Sequence, residues 1–301
     1  MTRLLTLRIR VVWILALFAI APACSGDGDD LIHAAWQGDA ATVNSLLSHH
    51  ADPNARDKTG MTPLMAAVWS AAGTPNLEIA RALLANKADP NIATMSGQTA
   101  LMVVAELGSA EFVRVLLEAG ANPNAKMTGG HTALMGAAKN GHTQIVRTLL
   151  EKGADANASD DFRNTALIGA TRAGDAEAVE MLLDRGALTD TTTSTGDSPL
   201  TLAAQQQQAG IVTLLLAAGA NPNIKDEEAA TPLMWAASLG DTTVVRLLLE
   251  HEADVTLTDM TGATALTWAA REGHAGVAAE IRRATPKETK EQPAAAKANK
   301  E

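Results

Sequence analysis

The sequence predicts an all-α protein built as an array of about eight helix–turn–helix repeats. Three observations carry that prediction. A short string opening with Thr or Ser recurs at a fixed interval; aromatic residues make up only 3% of the 301 residues, with no Tyr; and hydrophobic residues reach 47% against 19% charged. A fixed interval of this length marks one supersecondary unit that buries its apolar face only against a copy of itself. A core nearly free of aromatics must be made of Ala, Leu, Val and Met, which suits helices approaching closely. The apolar fraction is enough to bury such a core.

The strings TPLMAAV, TALMVVA, TALMGAA, TALIGAT, SPLTLAA, TPLMWAA and TALTWAA begin at Thr62, Thr99, Thr132, Thr165, Ser198, Thr231 and Thr264. The first spacing is 37 and every later one is 33. A degenerate copy, DDLIHAA, stands 33 residues before Thr62 at Asp29, so the repeats fill 29–284. The four additional residues of the second unit fall in Trp69–Asn76, between its two helices.

Each unit reads the same way. Thr or Ser caps a first helix, and Pro63, Pro199 and Pro232 occupy its first turn, where a missing N–H costs nothing. Gly38, Gly108, Gly141, Gly174, Gly240 and Gly273 close that helix at a position suited to left-handed backbone. Gln207 breaks that series, inside a Gln205–Gln208 run, at an expected cost of roughly 1 kcal/mol. A second helix with V-x-x-L-L periodicity follows, as at Val146, Leu149 and Leu150. An Ala-Asp/Asn-Pro-Asn turn, as at 51–54 and 121–124, then sends the chain out into a short loop.

This pattern resembles the ankyrin repeat over 29–284. The resemblance implies an ankyrin-repeat solenoid of helix-turn-helix units with short hairpin-like loops. The family's T-P-L-H-x-A-A string appears with Met65, Met102, Met135 and Met234 in its histidine slot, and with Ile32, Ile168, Thr201 and Thr267 in the other copies. The inter-repeat hydrogen bonds that the family histidine makes are therefore expected to be missing, with apolar packing in their place. His142 and His274 fall where many ankyrin repeats carry Gly-His, which implies a structural role for them.

The two ends read differently. Residues 1–10 hold Arg3, Arg8 and Arg10 and no acid, VVWILALFAIA follows, and Ala21-Pro22-Ala23 forms a small-residue site. Together these predict a secretory signal peptide over 1–23. The apolar run is well short of the ~20 residues that span a bilayer as a helix. Cys24, the only cysteine, stands directly after the site, and the segment is similar to a bacterial lipoprotein signal, which makes Cys24 a candidate for lipidation. Ala21 stands where that signal prefers Leu and Pro22 is awkward beside a cut, so ordinary cleavage is the second reading. Residues 24–28 read as a short linker. Residues 285–301, rich in Pro, Lys, Glu and Ala, read as a disordered tail. Arg282 replaces an interior Leu in the last repeat, as a terminal repeat with a polar outer face requires.

A search for chemistry excludes more than it finds. The net charge of −10, more negative once the signal's arginines leave, repels a polyphosphate backbone, so no nucleic acid is expected. One cysteine forms no internal disulfide. His251-Glu252 begins H-E-x-x-H, but Val255 occupies the second histidine position. Asp27, Asp29 and Asp30 do not continue into a calcium loop, and His49-His50 reads as an exposed helix end. No P-loop, G-x-S-x-G or dinucleotide fingerprint occurs, so the expectation is no enzyme, no cofactor and no metal.

What is left is surface. The family binds proteins through loop tips and the exposed face of the first helix. By register, that resemblance marks Trp36, Trp69, Leu107, Lys139, Arg172, Leu239 and Arg271 on the helix face. It marks Arg56, Asp57, Lys58, Met61, Thr94, Met95, Gln98, Phe162, Arg163, Asn164 and Asp226 to Glu228 at the tips. Trp36 and Trp69 share one repeat position and are expected to form an exposed aromatic anchor. Trp235 and Trp268 share another, where packing into gaps between repeats competes with ligand contact. The expected function is an exported, non-enzymatic binding module of a bacterial cell envelope, acting as a scaffold or chaperone-like binder in the periplasm. A secreted effector that engages host proteins is the alternative. Membrane contact is expected only through a lipid at Cys24.

Overall fold

The computed structural model describes residues 27–285. The segment 1–23 expected to be a signal peptide, Cys24, and all but Thr285 of the tail expected over 285–301 lie outside the described residues. Sixteen helices follow one another among those described: α1 (Asp27–Gln37), α2 (Ala40–Ser48), α3 (Pro63–Val68), α4 (Leu77–Ala85), α5 (Ala100–Leu107), α6 (Ala110–Glu118), α7 (Ala133–Lys139), α8 (Thr143–Glu151), α9 (Ala166–Ala173), α10 (Ala176–Asp184), α11 (Pro199–Gln205), α12 (Ala209–Ala217), α13 (Pro232–Ser238), α14 (Thr242–Glu250), α15 (Ala265–Arg271) and α16 (Ala275–Ala284). Among the described residues, extended pairing is limited to an isolated bridge between Ser159 and Thr165. This is the all-helical, helix-turn-helix solenoid architecture that the repeats predicted.

The first helix of each repeat starts where its hydroxyl cap sits. The Oγ atoms of Thr62, Thr132 and Ser198 accept the backbone N–H groups of Met65, Met135 and Thr201 at 3.3, 3.4 and 3.0 Å. Helices of six to eleven residues are too short to hold alone in water, so their stability comes from packing.

Two compact units divide the chain, one ending at Met95 and the other starting at Ser96. In the first unit α1 packs on α3 and α2 on α4. Leu31, Ala35, Leu64, Met65, Ala67, Ile79 and Leu83 form its core. The inserted segment after α3 is tied down: Ala71 N donates to the Trp36 carbonyl at 2.7 Å and Asn76 N to the Ala67 carbonyl at 2.8 Å. The Asn76 side chain then caps α4 by accepting from Ile79 N at 3.1 Å.

The linker expected over 24–28 ends early, because α1 already includes Asp27 and Gly28. The extra turn packs onto the first loop, where a Cβ on Gly28 would come within 2.7 Å of the Ala55 methyl. Asp29 and Asp30 in that first turn also suit the helix dipole. No periodicity at the start of the repeat encodes the contact with Ala55.

In the second unit the first helices α5, α7, α9, α11, α13 and α15 stack in order, and the second helices α6 to α16 stack behind them. A middle repeat shows the division of labour. Leu134, Met135, Ala137 and Ala138 from α7 meet Ile145, Val146, Leu149 and Leu150 from α8, all essentially buried. The methionines in the family's histidine slot are buried throughout, whereas Thr267 in α15 is exposed, with no described helix packed on that side. Ile281 in the last helix is as completely buried as Leu149, so burial alone does not rank them.

Polar bonds between repeats are present after all, from other positions. His142 Nε2 pairs with the Glu106 carbonyl at 3.0 Å and His274 Nε2 with the Ser238 carbonyl at 2.9 Å. Asn124 donates from Nδ2 to the Gly153 carbonyl at 2.9 Å and accepts from Asp155 N at 2.7 Å. Asn157 and Asn223 repeat this pair of bonds in the second unit, and Asn54 does so in the first. At the one repeat with Asp190 in that place, only the acceptor half survives, from Asn221 N at 3.0 Å. A carboxylate has no proton to donate.

Candidate protein-binding surface

The loop tips are built by one device. Asp160 Oδ1 accepts the N–H groups of Phe162 and Asn164 at 3.0 and 2.8 Å, while Asp160 N donates to the Asn164 carbonyl at 3.1 Å. Asp57, Asp226 and Asp259 make the same bonds in their own tips, with Thr193 Oγ1 standing in once. Successive tips are laced by single backbone bonds, such as Asp161 N to the Gly129 carbonyl at 2.8 Å.

This changes the reading of several tip residues. Asp57 and Asp226 have an oxygen committed to holding their loops. Met61, expected at a tip, is buried, because its N–H and carbonyl close the loop on Asp57 and draw its side chain inward. Asn164 is bound to Asp160 and accepts from Arg172 at 3.0 Å. Arg56 donates to the Ala93 carbonyl at 2.7 Å and so bridges two tips. Met95, Phe162 and Met260 are left projecting, exposed to 80%, 66% and 77%.

On the helix face of the second unit the marked positions do reach solvent. Lys139, Arg172 and Arg271 are exposed at the ends of α7, α9 and α15. Leu107 ends α5 and Leu239 follows α13; they are 47% and 40% exposed, high for leucines beside a packed core. Arg172 is held by Asn164, so its guanidinium is positioned over the tip loop. Charge on this face is mixed, with Glu106 and Glu272 beside the cations.

In the first unit, Trp36 and Trp69 are half-buried, short of the fully exposed anchor expected. Trp36 lies in the last turn of α1 with its ring 6.1 Å from the His33 ring, and Trp69 caps the C-terminus of α3. Ser70, beside Trp69, is buried, and its hydroxyl accepts from Ala72 N at 3.3 Å. Exposure therefore belongs to parts of these rings only.

Trp235 and Trp268 are tied into the surface in a way the sequence did not reveal. Trp235 Nε1 donates to Asp226 Oδ2 at 2.9 Å, and Trp268 Nε1 donates to Asp259 Oδ2 at 2.8 Å. The rings meet edge to face, with centroids 5.3 Å apart and planes at 81°. They are half-buried wall residues rather than plugs of the core. Asp259 is held well below the usual carboxylate range, first by the Thr261 hydroxyl and also by Ala263 N and the Trp268 indole. The available signal was a constant nine-residue step from the tip Asp to the Trp, occurring twice.

Two recesses accompany the surface. One of about 150 Å³ lies among Ser238, Trp268, Arg271 and Glu272 on the helix face. An open cleft of about 450 Å³ lies at the starts of the second helices, lined by Gly108, His142, Thr143, Gln144 and Glu177 among others. The cleft contains none of the contact residues expected from the sequence. No helix among the described residues is long and apolar enough to cross a membrane. No three His, Cys, Asp or Glu side chains among them converge as metal ligands do.

The geometry so far is a set of short helices with one face packed, the other solvated, and tips laced edge to edge. A family model described as ankyrin repeats (three copies) matches residues 31–127, 68–160, 134–226 and 200–285. A comparison with curated proteins finds no match. Members of the matched family are generally protein–protein interaction modules and typically not enzymes. With overlapping matches running from residue 31 to residue 285, the chain belongs to the ankyrin repeat family.

Proposed function

We propose that this chain is an exported, non-enzymatic binding module that holds or chaperones a protein partner in a bacterial cell envelope. The observation that carries the binding part is the solvated first-helix face of the second unit. Leu107, Lys139, Arg172, Leu239 and Arg271 are exposed there, at the ends of first helices whose opposite faces pack in the core. Structural duty alone does not call for leucines and long cations in turn on an exposed face. A mix of apolar and charged groups on one face is what a surface matched to one partner needs. Trp36 and Trp69 offer partly exposed indoles on the first unit, a residue type that dominates binding energy when desolvated. The export part is supported by the basic, apolar and small-residue segments of 1–23, with Cys24 as the residue a lipid would occupy.

The test is affinity capture from envelope extract with the mature chain and four variants, each checked by melting temperature. Trp36→Ala, Trp69→Ala, Lys139→Glu and Arg172→Glu should reduce recovery of one reproducible partner while leaving the melt nearly unchanged. Recovery that is indifferent to all four, or lost only together with the fold, would sink the proposal.

A further inference from the structure

We propose that the last two repeats bind a basic segment of a protein partner, seating a Lys or Arg side chain against the Trp235–Trp268 pair. This rests on the binding-module reading above and gives the chemistry of one end of that surface. The argument starts from the rings. Each indole has a single polar atom, its N–H, and both are spent on Asp226 and Asp259. What the pair offers to a ligand is therefore π surface and ring edge. Both tryptophans remain partly exposed, and Thr267, Ala270 and Arg271 on α15 beside Trp268 are exposed. A half-hydrated indole face prefers a cation to a neutral group, through the ring quadrupole.

The surrounding charge acts in the same direction. Asp226 and Asp259 touch the rings, Glu227 and Glu228 are exposed on the tip that carries Asp226, and Glu272 lines the 150 Å³ recess beside Trp268. Of the nearby cations, the Lys225 ammonium donates to the Thr258 carbonyl at 3.0 Å, and Arg271 shares the recess with Glu272. Carboxylates thus outnumber cations around the pair. A net charge of −10 adds a long-range pull on a basic chain and repels an acidic one. A neutral Pro-rich segment would use the tryptophans but gain nothing from the acids.

The test titrates the intact mature chain with three acetylated decapeptides: one of Arg, Lys and Gly, its Glu-for-Arg/Lys counterpart, and a neutral Pro-rich one. Calorimetry gives affinity, and the indole N–H signals in NMR report which tryptophans respond. The basic peptide should bind more tightly than both others, and weaken several-fold as salt rises toward physiological strength. The Trp235 and Trp268 signals should shift while those of Trp36 and Trp69 hold. The double variant Glu227→Gln/Glu228→Gln should lower affinity about threefold or more at an unchanged melting temperature. Trp268→Ala should lower affinity at least as much, at some cost in melting temperature, and Trp268→Phe, which keeps a ring, should retain most of the binding. Equal affinity for the three peptides, preference for the Pro-rich one, no binding, or no response at the two indoles each overturns the proposal. If the basic peptide fails while partner capture is still lost in Lys139→Glu and Arg172→Glu, the cation proposal falls and the binding-module reading stands.

Discussion

Replacing Gly108 by Ala should destabilise the chain about twice as much as the same change at Gly141. Both residues follow a first helix with left-handed backbone, at φ 82° and 70°. A side chain in that region costs roughly 1–2 kcal/mol. The reduced freedom of the unfolded chain offsets roughly 0.4–1 kcal/mol of that. At Gly141 nothing more is expected, because the nearest atom to a new Cβ is the Ala173 methyl at 3.9 Å. At Gly108 the new Cβ would lie 2.6 Å from Cε1 of His142 and 2.9 Å from both ring nitrogens. The imidazole must swing away and lose its 3.0 Å bond to the Glu106 carbonyl. A lost hydrogen bond of this kind adds about 1 kcal/mol. The expected penalties are thus about 1 kcal/mol for Gly141→Ala and about 2 kcal/mol for Gly108→Ala. Urea denaturation followed by circular dichroism measures both. In a His142→Ala background the excess at Gly108 should vanish. At the equivalent place in the sixth repeat Gln207 has φ 57° and only a long, exposed bond of 3.4 Å to the Leu239 carbonyl. Gln207→Gly should therefore stabilise, by about 0.5–1 kcal/mol. Equal penalties at the two glycines, an excess that persists without His142, or a destabilised Gln207→Gly would refute this account.

Three further outcomes follow from the same structure. Leu149→Ala should cost ~2–5 kcal/mol as a truncation in a fully buried site, and Ile281→Ala should cost less because the last repeat, flanked on one side, relaxes around the cavity; chemical denaturation in the reverse order would contradict the stacking. The folded pKa of Asp259 is depressed, as are those of Asp39 and Asp254, through bonds to Thr261, Thr42 and Thr256. Groups of this kind add stability above the ordinary carboxylate pKa of ~3.9 and lose it as pH falls below that value. The melting temperature should drop on acidification, and Thr261→Val should shallow the drop; a melt unchanged down to about pH 3 would argue against it. Intact mass of the mature protein should begin at Cys24, with any diacyl or triacyl increment removed by Cys24→Ser, whereas a mass that retains residues 1–23 would rule out the cleavage.

By itself the sequence determined the repeat and its register. A cap at Thr62 or Thr132, a glycine that ends a helix and a V-x-x-L-L face are local signals, and each acts within one turn of where it is written. The fold class, the two helices of each repeat and the place of the insertion after Trp69 were legible for that reason, whereas the start of α1 at Asp27 was not. What the tertiary structure decided is which polar atoms meet across a distance of about one repeat. His142 reaches Glu106 and Asn124 reaches Gly153 only because stacking fixes the offset between neighbours. Inter-repeat hydrogen bonds therefore exist even though methionines fill the family's histidine slot. The surface followed the same rule. The family's register, carried over through the resemblance, placed Leu107, Lys139, Arg172, Leu239 and Arg271 on the solvated face, where they are exposed. It could not tell that Met61 turns inward, that Trp36 and Trp69 are half covered, or that Asp226 and Asp259 anchor two indoles. Those outcomes depend on how a loop folds back over its helix, and that is settled by which hydrogen bonds close at 2.8 to 2.9 Å once the repeats are packed.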